Sequence, residues 1–152
     1  MKNNLSNIKK SKYYLDKNEC VAIPTETVYG LAGNAYSNKA TLKIFNLKKR
    51  AKKNPLIVHY YSLKMLNNDC IINDQFIKLY KKFCPGPLTF VLHLKKNSRI
   101  SRNVTNNKKT LAIRFPDHSL TKKLLKILNY PLAAPSANIS TKISPVSKED
   151  VK

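Results

Sequence analysis

A chain of 152 residues, 42% of them hydrophobic, is long enough for one domain with its own core, and this composition excludes a disordered tail. No segment approaches the ~20 consecutive apolar residues of a membrane span. No apolar segment follows the lysine-rich start at 1–12. We therefore expect no secretory signal, no membrane partner and a cytoplasmic location. The three cysteines form no CxxC pair, which favours ordinary core residues over a disulfide framework or a zinc site.

Charge is the most unusual bulk property of the chain. Lysine and arginine number 29 against 8 acidic residues, which gives a formal net charge of +21. Such a field attracts polyanions such as nucleotides, pyrophosphate or RNA. Nearly all of the excess is lysine, and Asn and Ile are also abundant. Because these residues have A/T-rich codons, a biased genome would produce the same composition, and the charge alone identifies no partner.

The predicted elements alternate between strands and helices. Short apolar runs predict strands at 19–23, 56–60, 88–94, 110–114 and 131–134. Apolar residues at helical spacing follow three potential N-caps and predict helices that begin after Ser37, Asn73 and Asp117. The polar, basic stretch 95–109 is typical of a mobile surface loop, and Ser147 begins what looks like another helix. The sum is a single mixed α/β domain of about five strands, whose order is not readable.

The first candidate site segment is PTETVYGL at 24–31, which follows a predicted buried strand. Glu26 lies between Thr25 and Thr27, and it is the only acid between Cys20 and Asn68. A solvated surface acid is the ordinary alternative. A lone acid between two threonines at a strand end nevertheless favours a site, because α/β folds place ligands at strand ends.

Two further candidate segments are cationic. Lys48 and Arg50 follow a predicted helix and would share a face if the chain is extended there, which suits a triphosphate. The alternative is a solvated helix end that is stabilised by the helix dipole. Arg114 ends an apolar strand and is one of only four arginines, so it is either a carboxylate or phosphate ligand or a structural salt-bridge partner.

The remaining candidates are weak when each is taken alone. Ser136 and Asn138 lie two residues apart among small residues and would point the same way on extended backbone, although the segment also suits an ordinary loop. His59 ends a strand, where a lone histidine is usually structural, and we interpret His93 and His118 as structural. We find no metal-ligand spacing, no P-loop and no nucleophile–histidine–acid arrangement.

Together these segments resemble the YrdC-like family, the threonylcarbamoyladenylate synthases also called TsaC. The matching pieces follow the family's order and spacing, and they are PTETVYGL at 24–31, KKRAKKNPLIVH at 48–59, PGPLTFVL at 85–92, LAIRFP at 111–116 and PLAAPSANIS at 131–140. The resemblance covers roughly residues 19–146. It implies one YrdC-like domain over 1–152, with a twisted mixed sheet and helices around a basic groove and a C-terminus that is short for the family.

The resemblance also implies a reaction. ATP, L-threonine and bicarbonate are expected as substrates, with threonylcarbamoyl-AMP and pyrophosphate as products. Mg²⁺ is expected to be held mainly by the ATP phosphates, without a resident metal site. The adenylate would pass to a partner tRNA-modifying transferase, which modifies the adenine next to the anticodon.

Residue roles follow from the same resemblance. The implied ATP-binding residues are Lys48, Arg50, Lys52, Ser136, Asn138 and Ser144. The first two are expected to be catalytic. The implied threonine-binding residues are Thr25, His59 and Arg114. Where the family usually has glycine, this chain has Thr141, so we expect the loop there to differ.

Two alternatives remain open from the sequence. The first is a non-catalytic RNA-binding module, or an inactive fragment, that uses the same basic groove. Steep salt dependence of RNA binding without ATP turnover would distinguish it. The second is a carbamoyl-transfer domain of the hydrogenase-maturation type, which shares the fold but carries CxxC zinc fingers that this sequence lacks.

Overall fold

A computed structural model of the chain describes residues 2–138, Pro145 and Ser147, and these residues form a mixed α/β domain. The helices are α1 (Lys2–Asp16), α2 (Asn38–Lys48), α3 (Leu63–Leu66), α4 (Asp74–Phe83), α5 (Arg102–Thr105) and α6 (Ser119–Ile127). The strands are β1 (Val21–Ile23), β2 (Gly30–Asn34), β3 (Ile57–His59), β4 (Thr89–His93), β5 (Thr110–Arg114) and β6 (Leu132–Ala133).

The strands form one sheet in the order β1-β2-β6-β3-β5-β4. Strands β3 and β5 are parallel, with His59 opposite Arg114, so both strands end at the same edge. The other neighbours are antiparallel, and β6 lies between β2 and β3. The segment after β6 consequently runs back past the start of β3, where the Ala134 N–H donates to the carbonyl of Ile57 at 2.9 Å.

Two apolar clusters hold the layers together. The first packs α2 and α4 on the sheet, and its fully buried members include Ile44, Val58 and Ile113. The second packs α1 and α6 on the sheet through residues such as Leu15 and Leu124. Each such side chain contributes about 1.5–3 kcal/mol when it is fully removed from water. The two clusters give the strand ends a rigid support.

The stretch 95–109 differs from the expected loop, because it contains α5 and contributes to the core. Val104 is fully buried, and its carbonyl accepts from the Leu56 N–H at 2.8 Å. The stretch is also fixed at its start by the buried carboxylate of Asp69, which accepts from the Ser98 hydroxyl at 2.9 Å and from the Arg99 N–H at 3.2 Å. The polar, basic sequence of this stretch gives no sign that it is bonded to an acid about 30 residues earlier in the chain.

Two of the three predicted N-caps are confirmed. The Ser37 hydroxyl accepts from the Ala40 N–H at 3.1 Å, and the Asn73 side chain accepts from the Phe76 N–H at 2.8 Å. The prediction of Asp117 as the third cap is wrong, because His118 Nδ1 accepts from the Leu120 N–H at 3.3 Å. The Asp117 carboxylate instead pairs with Lys122 at 2.9 Å.

Other differences concern whole elements. Helices α1, α3 and α5 and strand β2 were not expected from the sequence, while the five predicted strands correspond to β1, β3, β4, β5 and β6. The further helix expected after Ser147 lies outside the described residues. All three cysteines are free thiols, and Cys70 is fully buried. No helix among the described residues is long and apolar enough to cross a membrane.

Candidate functional site

A cavity of about 270 Å³ lies where the end of β3, the end of β5 and the segments flanking β2 and β6 meet. Its lining comprises Thr25, Thr27, Val28, Gly30, Arg50, Pro55, Ile57, His59, Arg114, Ala134, Pro135 and Ser136. The sheet order explains this meeting, because β3 has β5 on one side and β6 on the other. Residues far apart in sequence therefore share one wall.

The segment before β2 forms a compact turn around a threonine hydroxyl. Thr25 Oγ1 accepts from the N–H groups of Thr27 and Val28, each at 3.2 Å, and donates to the Val28 carbonyl at 2.6 Å. The turn is fixed to the segment after β6 because the Ala137 N–H donates to the Tyr29 carbonyl at 2.7 Å. Gly30 also forms an isolated bridge with Ser136, which keeps the start of β2 beside the segment after β6.

Arg114 projects from the end of β5 and forms an ion pair with Glu26. Glu26 Oε1 accepts from Nη2 at 2.6 Å and from Nε at 3.2 Å, while Nη1 donates to the Thr27 hydroxyl at 3.2 Å. Burial acts to raise the pKa of Glu26, but bonds from backbone N–H groups and from Arg114 outweigh it and hold the pKa below its ordinary value. Glu26 is therefore ionised near neutral pH, opposite the guanidinium.

His59 lies beside Arg114 on the neighbouring strand and is only 3% exposed. Its Nδ1 atom is buried and has no hydrogen-bond partner among the residues that the structure describes. Burial, with a further contribution from the Arg114 charge, lowers the pKa of His59 to about 4. The imidazole is therefore neutral at pH 7, and it lines the cavity while its Nδ1 atom is itself buried.

Lys48 ends α2 and is buried, with only 2% of its surface exposed. Its ammonium group donates to the backbone carbonyls of Ser136 and Asn138. Burial and the nearby charge of Arg50 both lower the pKa of Lys48. The lysine thus binds the segment behind β6 to the end of the helix.

The expectation that Lys48 and Arg50 share a face required an extended chain after α2. The chain is not extended there. Lys49 adopts a left-handed conformation with φ of 48°, and it turns the chain immediately after the helix. Arg50 then lines the cavity, and its guanidinium donates to the carbonyls of Asn54 at 3.2 Å and Pro55 at 3.0 Å. The two cations still converge on the Ser136 segment, but through a turn.

The predicted site residues are distributed as follows. Five of them line the cavity: Thr25, Arg50, His59, Arg114 and Ser136. Lys48 and Asn138 meet directly behind it, through the ammonium–carbonyl bond. Lys52 lines a separate cavity with Arg102, and Ser144 lies outside the described residues.

Several residues that line the cavity had no predicted role, including Thr27, Pro55 and Ile57. A signal for Ile57 exists, since it lies two positions before His59 on a strand and must face the same way. Within the described part of the chain, no group of three His, Cys, Asp or Glu residues could hold a metal ion. The cavity wall combines cations, hydroxyls and one neutral imidazole, which is a donor set suited to small anions and phosphates.

Fold and cavity together define a mixed α/β domain with a cationic cavity at the strand ends. The chain belongs to the Sua5/YciO/YrdC family, described as "Telomere recombination", which it matches over residues 13–152. The solved structure of Sua5 from Pyrococcus abyssi complexed with L-threonine has a TM-score of 0.90 and 41% identity. That match covers 95% of this chain and 42% of the other.

Several curated relatives carry the name threonylcarbamoyl-AMP synthase, and two of them show the range of coverage. The protein from Bacillus subtilis is 45% identical over 138 residues, which is 90% of this chain and 40% of the relative. The protein from Buchnera aphidicola is 33% identical over 97% of this chain and 78% of the relative. This chain therefore spans about two fifths of the Bacillus relative and most of the Buchnera relative.

Proposed function

We propose that this protein is an L-threonylcarbamoyladenylate synthase, a nucleotidyltransferase that acts in tRNA modification. The observation that carries the proposal is the meeting of Arg50, His59 and Arg114 in one cavity, with Lys48 bound to the adjoining backbone. The names of the relatives and the threonine complex of the Pyrococcus protein support the same reaction. ATP, L-threonine and bicarbonate are the proposed substrates.

The threonine end of the cavity is proposed to lie at the ends of β3 and β5. Arg114 offers its planar guanidinium to the amino-acid carboxylate, which it can bind through two parallel hydrogen bonds. His59 lines the same end with a neutral imidazole, which we propose contacts a polar group of threonine. Thr25 lines the same end and fixes the turn that closes it.

The ATP end is proposed to lie where the turn after α2 meets the segment after β6. Arg50 faces the cavity there beside Ser136, and Lys48 holds the backbone of Ser136 and Asn138 in place. We propose that this group binds the phosphates. The roles of Lys52 and Ser144 in nucleotide binding remain predictions from the resemblance.

The chemistry requires alignment and charge neutralisation more than a reactive side chain. The threonine amine and bicarbonate form a carbamate, and one water molecule is released. A carbamate oxygen then attacks the α-phosphorus of ATP, the bond from the α-phosphorus to the bridging oxygen breaks, and pyrophosphate leaves. Fixed cations that face the phosphates stabilise the charge that develops on them, and holding both substrates in one cavity raises the rate further.

Magnesium is proposed to enter as part of the ATP substrate. The carboxylate next to the cavity, that of Glu26, is already bonded to Arg114, and the other lining side chains are cations, hydroxyls, an imidazole and apolar groups. This donor set does not build a magnesium site by itself, whereas the phosphate oxygens of ATP are the ligands that the ion prefers.

The test is pyrophosphate release by the purified chain in the presence of Mg²⁺ and ATP. We expect release to require both threonine and bicarbonate. Release that is independent of threonine, or no release at all, would contradict the proposal. The cytoplasmic location and the transfer of the product to a tRNA-modifying transferase remain predictions.

A second candidate function, RNA binding, is favoured by one observation. Three further cavities lie around α5, and Arg102 lines all of them. We term their cationic residues the α5 face. These residues are Lys52, Lys95, Lys96, Arg99, Arg102 and Lys108. Such a surface suits a phosphodiester backbone. Steeply salt-dependent tRNA binding without turnover of ATP would favour this candidate over the synthase.

A further inference from the structure

Glu26 carries a feature that the proposed reaction does not explain. Its side chain is 20% exposed, and one oxygen, Oε1, contacts both Nη2 and Nε of Arg114. The other oxygen, Oε2, accepts from the Asp117 N–H at 3.1 Å. Glu26 therefore fixes one edge of the guanidinium and connects the turn before β2 to the chain after β5.

The contact leaves the Arg114 guanidinium oriented but electrically compensated. Nη1 is held by the Thr27 hydroxyl, and Nε also points at the Gly86 carbonyl at 3.4 Å. These partners determine the plane of the fork in which a ligand must bind. Because Glu26 and Arg114 are both charged near neutral pH, their summed charge is close to zero.

The compensation of the Arg114 charge matters because Arg50, at the proposed phosphate end, lines the same cavity. Phosphate groups that approach Arg50 therefore also come close to Arg114. Free phosphate and polyphosphates bind arginine at least as well as a carboxylate does, and their greater charge strengthens the attraction. An uncompensated Arg114 would therefore attract phosphate into the end of the cavity that the amino acid must occupy. The fixed carboxylate of Glu26 beside Arg114 repels a phosphate dianion more strongly than it repels the singly charged carboxylate of an amino acid.

We infer that Glu26 is a positioning and specificity residue, which orients Arg114 for a monocarboxylate and keeps phosphate out of the amino-acid end of the cavity. The inference rests on the proposed function for the identity of the amino acid. The exclusion of phosphate is a property of the Glu26–Arg114 pair and can be measured without turnover.

Two variants separate the charge of Glu26 from its reach. Glu26→Gln keeps the volume and one oxygen but removes the charge. Glu26→Asp keeps the charge but is one methylene shorter, so it cannot hold Arg114 and the Asp117 N–H in the same way. Glu19→Gln is the matched control, because Glu19 forms a half-exposed ion pair of the same 2.6 Å length with Lys43, and neither residue lines the cavity.

Steady-state pyrophosphate release is measured against threonine, with and without inorganic phosphate. In Glu26→Gln we expect phosphate to become a competitive inhibitor with respect to threonine, with an inhibition constant about tenfold lower than in the wild type, a free-energy difference of about 1.4 kcal/mol. In Glu26→Asp we expect the threonine KM to rise about tenfold with kcat unchanged, because a ground-state contact is misplaced. The phosphate inhibition constant should stay at the wild-type value in Glu26→Asp and in Glu19→Gln.

Direct phosphate titration of the full chain by calorimetry accompanies the kinetics. If the wild type shows no threonine-dependent release, the proposed function fails, and the titration still decides the inference. Tighter phosphate binding by Glu26→Gln than by the wild type supports it, and equal binding overturns it. If Glu26→Gln does not fold, Glu26→Asp decides the inference. A raised threonine KM with unchanged phosphate inhibition supports it. A threonine KM equal to that of the wild type overturns it.

Discussion

Replacing Lys48 by methionine tests how the cavity wall is held together. The substitution keeps a long apolar stem at a position that is 2% exposed, but it removes the ammonium that donates to the carbonyls of Ser136 and Asn138. An unsatisfied buried acceptor costs about 1–3 kcal/mol. Both acceptor residues are half-buried, so water will replace part of the lost bonding, and we expect a total of about 2 kcal/mol.

For a domain of this size, about 2 kcal/mol corresponds to a decrease of roughly 4–8 °C in the melting midpoint. The segment 136–138 should also lose protection against amide hydrogen exchange before the rest of the sheet does, because its connection to α2 is gone. We further expect kcat/KM for pyrophosphate release to fall at least about tenfold, or about 1.4 kcal/mol, since the phosphate end of the cavity loses its support.

The control is Lys43→Met on the same helix. Lys43 forms a half-exposed ion pair with Glu19, and pairs near the surface contribute about 0–1 kcal/mol. The midpoint and the rate should therefore change little in this variant. A Lys48→Met protein whose melting midpoint, exchange protection and rate all match those of the Lys43→Met protein would refute the argument that Lys48 supports the cavity wall.

The remaining predictions concern two other residues of the wall. Arg50→Ala should lower kcat/KM for pyrophosphate release at least about tenfold, whereas Lys53→Ala, an exposed cation in the same turn, should stay within about twofold in the same assay. For His59, the folded-state pKa of about 4 lies below the ordinary 6.5, so the unfolded chain binds the proton first as the pH falls. Stability should therefore decrease from about pH 6.5 to pH 4, by up to about 3 kcal/mol, and denaturant titrations of His59→Gln should show a smaller decrease over that range.

Much of the fold could be predicted because periodicity is local. The strand 110–114 was predicted with the bounds that the structure has, since its apolar run ends at a charged residue. Strand β2, with the sequence GLAGN, was missed because small residues carry little strand propensity and gain their pairing from the neighbours β1 and β6. Helix α1 was missed because its sequence is mostly polar, and it is stabilised by packing against α6.

The site was less readable, because its decisive contacts join distant segments or use the backbone. Arg114 and Glu26 are 88 residues apart, and only the strand order brings them together. The partners of Lys48 are carbonyl oxygens, which every residue possesses, so the sequence carries no signal for that contact. Asp117 was the expected cap of α6, but its N–H donates to Glu26 and the cap is His118, a residue type that is not a preferred cap.

The most direct measurement is mass spectrometry of the nucleotide product formed from ATP, threonine and ¹³C-labelled bicarbonate. If both substrates meet in the cavity as proposed, the purified chain will yield threonylcarbamoyl-AMP one mass unit heavier than the product from unlabelled bicarbonate, and Arg114→Gln will yield far less of it. Nucleotide products that contain no threonine, or no labelled carbon, would contradict the account.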